Sequence, residues 1–232
     1  MRAKIEKHRS LISITALLAV ASAISLLLMS IRISRSDSAR YSFLIINLAL
    51  AWIPFVFAAL AYALANIRKR ILYLLVFASA LAWLIFFPNA PYILTDFQHL
   101  SYGSGGIPVW YDVILLVWSA WTGLLLGIVS LYLMQEIIRR MLGNRASWIF
   151  VLGVSLLSSF GVYLGRFMRW NSWDLWHNPI PLMLDIFDQL RHPLANRDTY
   201  IFTAIFTMLF LFIYFTIMLF GNMVVDRQKQ VQ

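Results

Sequence analysis

Apolar residues in this chain come in six long blocks, with short polar segments between them. The blocks cover about 11–31, 41–65, 71–87, 111–134, 148–164 and 200–221. A helix of roughly 20 apolar residues crosses about 30 Å of hydrocarbon. A backbone in lipid must satisfy its own polar groups, so each block is expected to be a helix. The expected fold is all-α: a six-helix transmembrane bundle over residues 1–232, one polytopic domain, with short interfacial helices in two extracytoplasmic loops. The block at 11–31 is longer than the apolar core of a secretion signal, and Ala21-Ser22-Ala23 lies inside it rather than after it. It is therefore expected to be an uncleaved first span.

Two connections are long, about 88–110 and 166–199, and most polar residues with chemical potential lie in them. The first follows "FFPNAPYILTDFQHL". Pro88 and Pro91 should end the third helix. "TDFQ" has the form of a capping box with Thr95 as N-cap, predicting a short helix that carries Asp96 and His99 on one face. The second contains "GRFMRWNSWDLWHNPIP", where Asp174 and His177 repeat the spacing of Asp96 and His99. Beyond it, Leu182, Met183, Ile186, Phe187 and Leu190 form one stripe and Asp185, Asp188, Gln189 and Arg191 another. This predicts an amphipathic helix along the outer interface.

Composition sharpens the picture. The chain is 61% hydrophobic and 12% charged, where a soluble domain carries about a quarter charged residues. It has no cysteine, which excludes disulfides, thiolate metal sites and thiol nucleophiles. The net charge of +9 is explained by topology. With both termini in the cytoplasm, the inner segments hold Arg2, Lys4, Lys7, Arg9, Arg68, Lys69, Arg70, Arg139, Arg140, Arg145, Arg227 and Lys229, which include every lysine. The outer segments hold seven arginines against seven aspartates. That is the positive-inside pattern, and nucleic acid is not the expected partner.

No ionisable residue falls in the middle of a block, which argues against ion-coupled transport. Asn47 and the hydroxyls of Ser119, Thr122, Ser155, Ser158, Ser159, Thr203 and Thr207 are expected to bond between helices or back to their own backbone. "GLLLG" at 123–127 and "GVYLG" at 161–165 permit close helix approach, read as internal packing or as a dimer face.

If the two outer loops converge, their residues would line one site at the membrane surface. Asp96, His99 and Asp174 are the acid–base candidates. Arg166 and Arg169 would orient a phosphate or carboxylate, with Asn89 and Asn171 as polar contacts. Asp96, His99, Asp174 and His177 would also suit a divalent metal. Against these stands a network that only ties the loops together.

"FFPNAPYILTDFQHL" and "GVYLGRFMRWNSWD" resemble the signatures of a bacterial membrane family, domain of unknown function 1361. The likeness extends from about the second helix to the last. It implies a small multi-pass protein of the bacterial cytoplasmic membrane, with no reaction or cofactor attached. Its motifs match Pro88, Asn89, Pro91, Tyr92, Thr95, Asp96 and His99, then Gly165, Arg166, Arg169, Trp170, Asn171, Ser172, Trp173 and Asp174. Tyr92 and Thr95 thereby join the ligand-binding candidates. His177 is outside the pattern, which weakens the metal reading. The expected partner is a membrane lipid, with a lipid-linked or small-molecule ligand; the cofactor and oligomeric state stay open. The rival readings are a small-solute transporter or permease, marked by Asn47 and Pro54, and a non-catalytic membrane subunit.

Overall fold

The computed structural model describes residues 2–36, 39–65, 72–100 and 106–230. The helices are α1 (Arg2–Ser36), α2 (Phe43–Ala65), α3 (Leu72–Phe86), α4 (Asn89–Tyr92), α5 (Val109–Leu142), α6 (Asn144–Phe167), α7 (Asp174–His177), α8 (Pro179–Arg191) and α9 (Arg197–Gln230), with a 3₁₀ segment at Ile93–His99. There is no strand among the described residues. Six helical stretches are long and apolar enough to cross a membrane: Ser10–Ser36, Phe43–Ala65, Tyr73–His99, Val109–Leu142, Asn144–Phe167 and Arg197–Met223. The chain is an all-α, multi-span protein. Its packing divides into two compact units, Met1–Leu133 and Met134–Gln232, and the division falls within α5.

In the first unit, α1, α2, α4, the 3₁₀ segment and α5 share a core that includes Leu18, Met29, Leu44, Leu48, Phe55, Ala90, Ile93 and Leu115. α1 and α5 run antiparallel, in register with a seven-residue step. The Trp118 indole donates to the Ala21 carbonyl at 2.8 Å and the Tyr111 hydroxyl to the Leu28 carbonyl at 2.7 Å. On the adjoining rows Ser25 meets Ser119 at 2.6 Å and Arg32 meets Asp112. Each pair recurs two helical turns on, where a neighbour returns to the same face.

Pro88 ends α3 at Phe86 as its sequence predicts, but the chain does not leave helical geometry for long. α4 starts at Asn89, with Pro91 in its first turn, where a missing N–H leaves no bond unmade. The Asn89 amide donates to the Phe86 carbonyl at 2.9 Å, satisfying an open acceptor at the end of α3. The predicted capping box is absent. The Thr95 hydroxyl donates back to the Tyr92 carbonyl at 2.6 Å, and Ile93–His99 continues as 3₁₀ helix.

The glycines of "GLLLG" let this segment approach α5. A Cβ built on Gly123 would lie 2.6 Å from Ile93 Cδ1 and 3.0 Å from the Ala90 carbonyl oxygen. One on Gly127 would lie 3.1 Å from Ala90 Cβ. This pair therefore serves packing within the chain.

In the second unit α6 and α9 pack side by side, clamped by aromatic pairs at both ends. Trp148 stacks on Phe215 with ring centroids 5.1 Å apart, and Phe167 meets Phe202 at 5.3 Å. Several hydroxyls of both units bond back to their own helix, including Thr122 to Trp118 in the first and Ser159 to Ser155 and Thr207 to Thr203 in the second. Ser155, Ser158 and Thr203 depart from this habit: their hydroxyls are buried without a protein partner.

Candidate functional site

Asp96 is the one carboxylate in the sequence of the first outer loop. Its side chain is fully buried. The Asn47 amide, one turn into α2, donates to Asp96 Oδ2 at 2.9 Å. The 3₁₀ spacing brings His99 onto the face of Asp96. Its ring packs on Phe43 with centroids 4.8 Å apart, and its carbonyl accepts from the Tyr41 hydroxyl at 3.2 Å. The start of α2 thus supports both residues. Asn47, which the sequence associates with a transport path, is a direct partner of the acid–base candidate.

A buried ion pair lies at the same end of this unit. Arg32 Nε donates to Asp112 Oδ1 at 2.7 Å and Nη2 to Oδ2 at 3.1 Å. The two side chains are 0% and 1% exposed. The Arg32 guanidinium also lies 4.4 Å from the centre of the Tyr41 ring. Burial raises the Tyr41 hydroxyl above its ordinary pKa, and the Asp112 charge adds to the rise. The phenol proton is the one given to the His99 carbonyl. By composition alone Arg32 and Asp112 are outer-segment charges. The structure places them instead in the last turns of α1 and the first turn of α5, inside the helices.

The other proposed ligand residues of this loop are already engaged. Asn89 closes α3 and Thr95 bonds within its own turn, as described above. Tyr92 and Thr95 are half-buried.

In the second unit the loop residues organise locally. Arg166 is half-buried in the last turn of α6. Arg169 takes up φ 63°, a left-handed conformation uncommon outside glycine. This turn lets the Trp170 N–H reach back to the Leu164 carbonyl at 3.1 Å and closes the helix end. Asn171 donates its backbone N–H to Asp174 Oδ2 at 2.7 Å, and the Asn178 amide donates to Oδ1 at 3.3 Å. The Asn171 N–H is the main cause holding the Asp174 carboxyl below the usual carboxylate range. His177 does not meet Asp174 through its ring: Nδ1 lies 3.0 Å from the Trp173 carbonyl. Among the described residues, no group of three or more His, Asp or Glu is arranged to hold a metal. Asp96 and Asp174 belong to different compact units.

A family model described as "Protein of unknown function (DUF1361)" matches residues 46–213. The chain belongs to the DUF1361 family. No curated protein and no solved structure matches it.

The DUF1361 match takes in Asn47, Asp96, His99, Asp112 and Asp174, while Arg32 and Tyr41 precede it. The buried centre of this DUF1361 protein thus joins residues inside the matched segment to residues of α1 and the α1–α2 connection. Tyr41 and Arg32 escape a reading by spacing, since their partners lie 58 and 80 residues away. The one local signal was Arg32 itself, a cation immediately after an apolar block.

Proposed function

We propose that the polar centre around Asp96 is a binding site at the outer face of the membrane for a lipid headgroup or a lipid-linked substrate. The protein would sit in a bacterial cytoplasmic membrane as one polytopic domain, with both termini in the cytoplasm. The surplus of Lys and Arg on the segments assigned to that side supports this orientation. The supporting observation for the site is the burial of an ionisable group. Asp96 is fully enclosed near the end of a span, held by the Asn47 amide. Carboxylates are costly at such positions, and where they persist they usually serve a ligand or a proton path. His99 supplies an imidazole next to it, with its own carbonyl held by the Tyr41 hydroxyl. In the second unit, taken separately, Arg166, Arg169 and Asn171 are the candidates for anion contacts of their own loop.

The test compares Asp96→Asn with Asn47→Leu in protein purified with its lipids. Native mass spectrometry reads the bound lipid, and unfolding reads stability. Asp96→Asn preserves shape and hydrogen-bonding capacity, so the proposal expects it to lose lipid while unfolding as the wild type does. Retention of the same lipid by both variants, with only the unfolding midpoint lowered, would make the centre a structural tie and overturn the proposal.

A further inference from the structure

α8 turns its apolar side away from the protein. Its inner side is fastened by polar contacts. The Trp170 indole donates to Asp185 Oδ2 at 2.8 Å, the Thr199 hydroxyl donates to Gln189 Oε1, and the Tyr200 hydroxyl donates to the Gln189 carbonyl at 2.9 Å. Leu182 and Gln189 are buried there. The sequence groups Asp185 and Gln189 with the polar outer face and Leu182 with the apolar stripe; the structure reverses both assignments. A second, narrower side carries Asp188 and His192, exposed and paired at 2.9 Å. The remaining side presents Ile180, Met183, Leu184, Phe187 and Leu190, each between 48% and 73% exposed. Their spacing of three and four residues makes one continuous stripe.

We propose that this stripe is seated in the acyl region of the leaflet that receives the ends of α6 and α9. The inference is independent of the Asp96 site. Three observations select lipid as the occupant. First, the connection that carries α7 and α8 joins two spans, α6 ending at Phe167 and α9 starting at Arg197. The connection is therefore held to one membrane surface at both ends. Second, the inner side of α8 is fastened to a span whose own surface is apolar. The Tyr200–Gln189 bond brings the end of α8 against the first turns of α9, where Tyr200, Ile201 and Ile205 are exposed on the span itself. Third, the charge on this side suits a headgroup. Arg191 closes the stripe with its guanidinium 5.8 Å from the Phe187 ring centre. An arginine whose stem covers apolar surface while its charge stays with the headgroups is the usual interfacial arrangement. α8 thus lies flat, with one side on the protein, one in acyl chains and one in water.

The absence of cysteine makes the test direct. Leu184→Cys, Phe187→Cys and Asp188→Cys are each labelled with a small environment-sensitive fluorophore, with Ile201→Cys as the span reference. The full chain is reconstituted in vesicles of phosphatidylethanolamine and phosphatidylglycerol. Nitroxide carried on lipid acyl chains is one quencher and aqueous iodide the other. Labels at 184 and 187 should lose emission to the lipid nitroxide, as at 201, and keep it in iodide; the label at 188 should do the reverse. Iodide quenching at 184 and 187 equal to that at 188 would place the stripe in water and overturn the proposal. So would protection of 184 and 187 from both quenchers, which would mean that protein, such as a second copy, covers the stripe.

Discussion

Removing one half of the Arg32–Asp112 pair should be among the most damaging single changes in the first unit. The two side chains are 0% and 1% exposed and joined by bonds of 2.7 and 3.1 Å. With charge centres about 4 Å apart and an effective dielectric constant of about 20, their attraction is about 4 kcal/mol. Asp112→Leu leaves the guanidinium buried without its carboxylate, beside neutral groups such as the Tyr41 ring, at 4.4 Å, and the Ser36 hydroxyl, at 3.5 Å. Those contacts exist in the wild type and bring nothing new. The expected loss is about 3–5 kcal/mol, the range for an uncompensated buried charge. Arg32→Met should cost a similar amount. The double variant removes both charges and should come within about 1 kcal/mol of wild type, or exceed it. The assay is reversible unfolding in mixed micelles titrated with dodecyl sulfate and followed by tryptophan fluorescence, analysed as a double-mutant cycle. If Asp112→Leu costs less than about 1 kcal/mol, or the double variant costs the sum of the singles, the pair is not energetically coupled and the reasoning fails.

The remaining predictions concern packing and titration. Gly123→Ala forces a methyl to 2.6 Å from Ile93 Cδ1 and 3.0 Å from a backbone oxygen, and should cost about 1–3 kcal/mol. Gly153→Ala meets nothing within 4 Å and should be neutral or stabilise by up to about 1 kcal/mol; equal midpoints for the two would refute the close-approach argument. Asp174 has its folded-state pKa lowered, chiefly by the Asn171 N–H. Its contribution to the loop is therefore complete above the ordinary aspartate value of about 3.9 and is lost as pH falls through the lowered value. A carboxyl ¹³C titration should give a midpoint below about 3.9; a midpoint at or above it would show that the Asn171 contact does not form.

The helices were legible because lipid permits little else. An apolar block of span length implies its own structure, and Pro88 marked the end of α3 correctly. What escaped was decided by competition between nearby groups. Thr95 looked like a cap, yet its hydroxyl found the Tyr92 carbonyl three residues back. Asp174 and His177 had the spacing of a facing pair, yet each took a neighbouring partner instead. Short polar side chains often prefer such local bonds. The site was half legible. Asp96 and His99 stood out as ionisable groups at a span end, but nothing local couples Asp96 to Asn47, 49 positions earlier. The Arg32–Asp112 pair was hidden for the same reason, since its discovery requires the α1–α5 register.

That register has a consequence for how the protein is made. α1 is synthesised well before Asp112, the partner of its only buried cation among the described residues, exists. Until α5 enters the bilayer, Arg32 must keep its charge solvated without that carboxylate. It can do so because it lies four residues from the end of α1, where a long side chain reaches the headgroup water. Docking of the fourth span then withdraws that charge from the surface. The closing step of assembly in this unit should accordingly slow when Arg32 is moved one turn deeper, even where the finished fold tolerates the change.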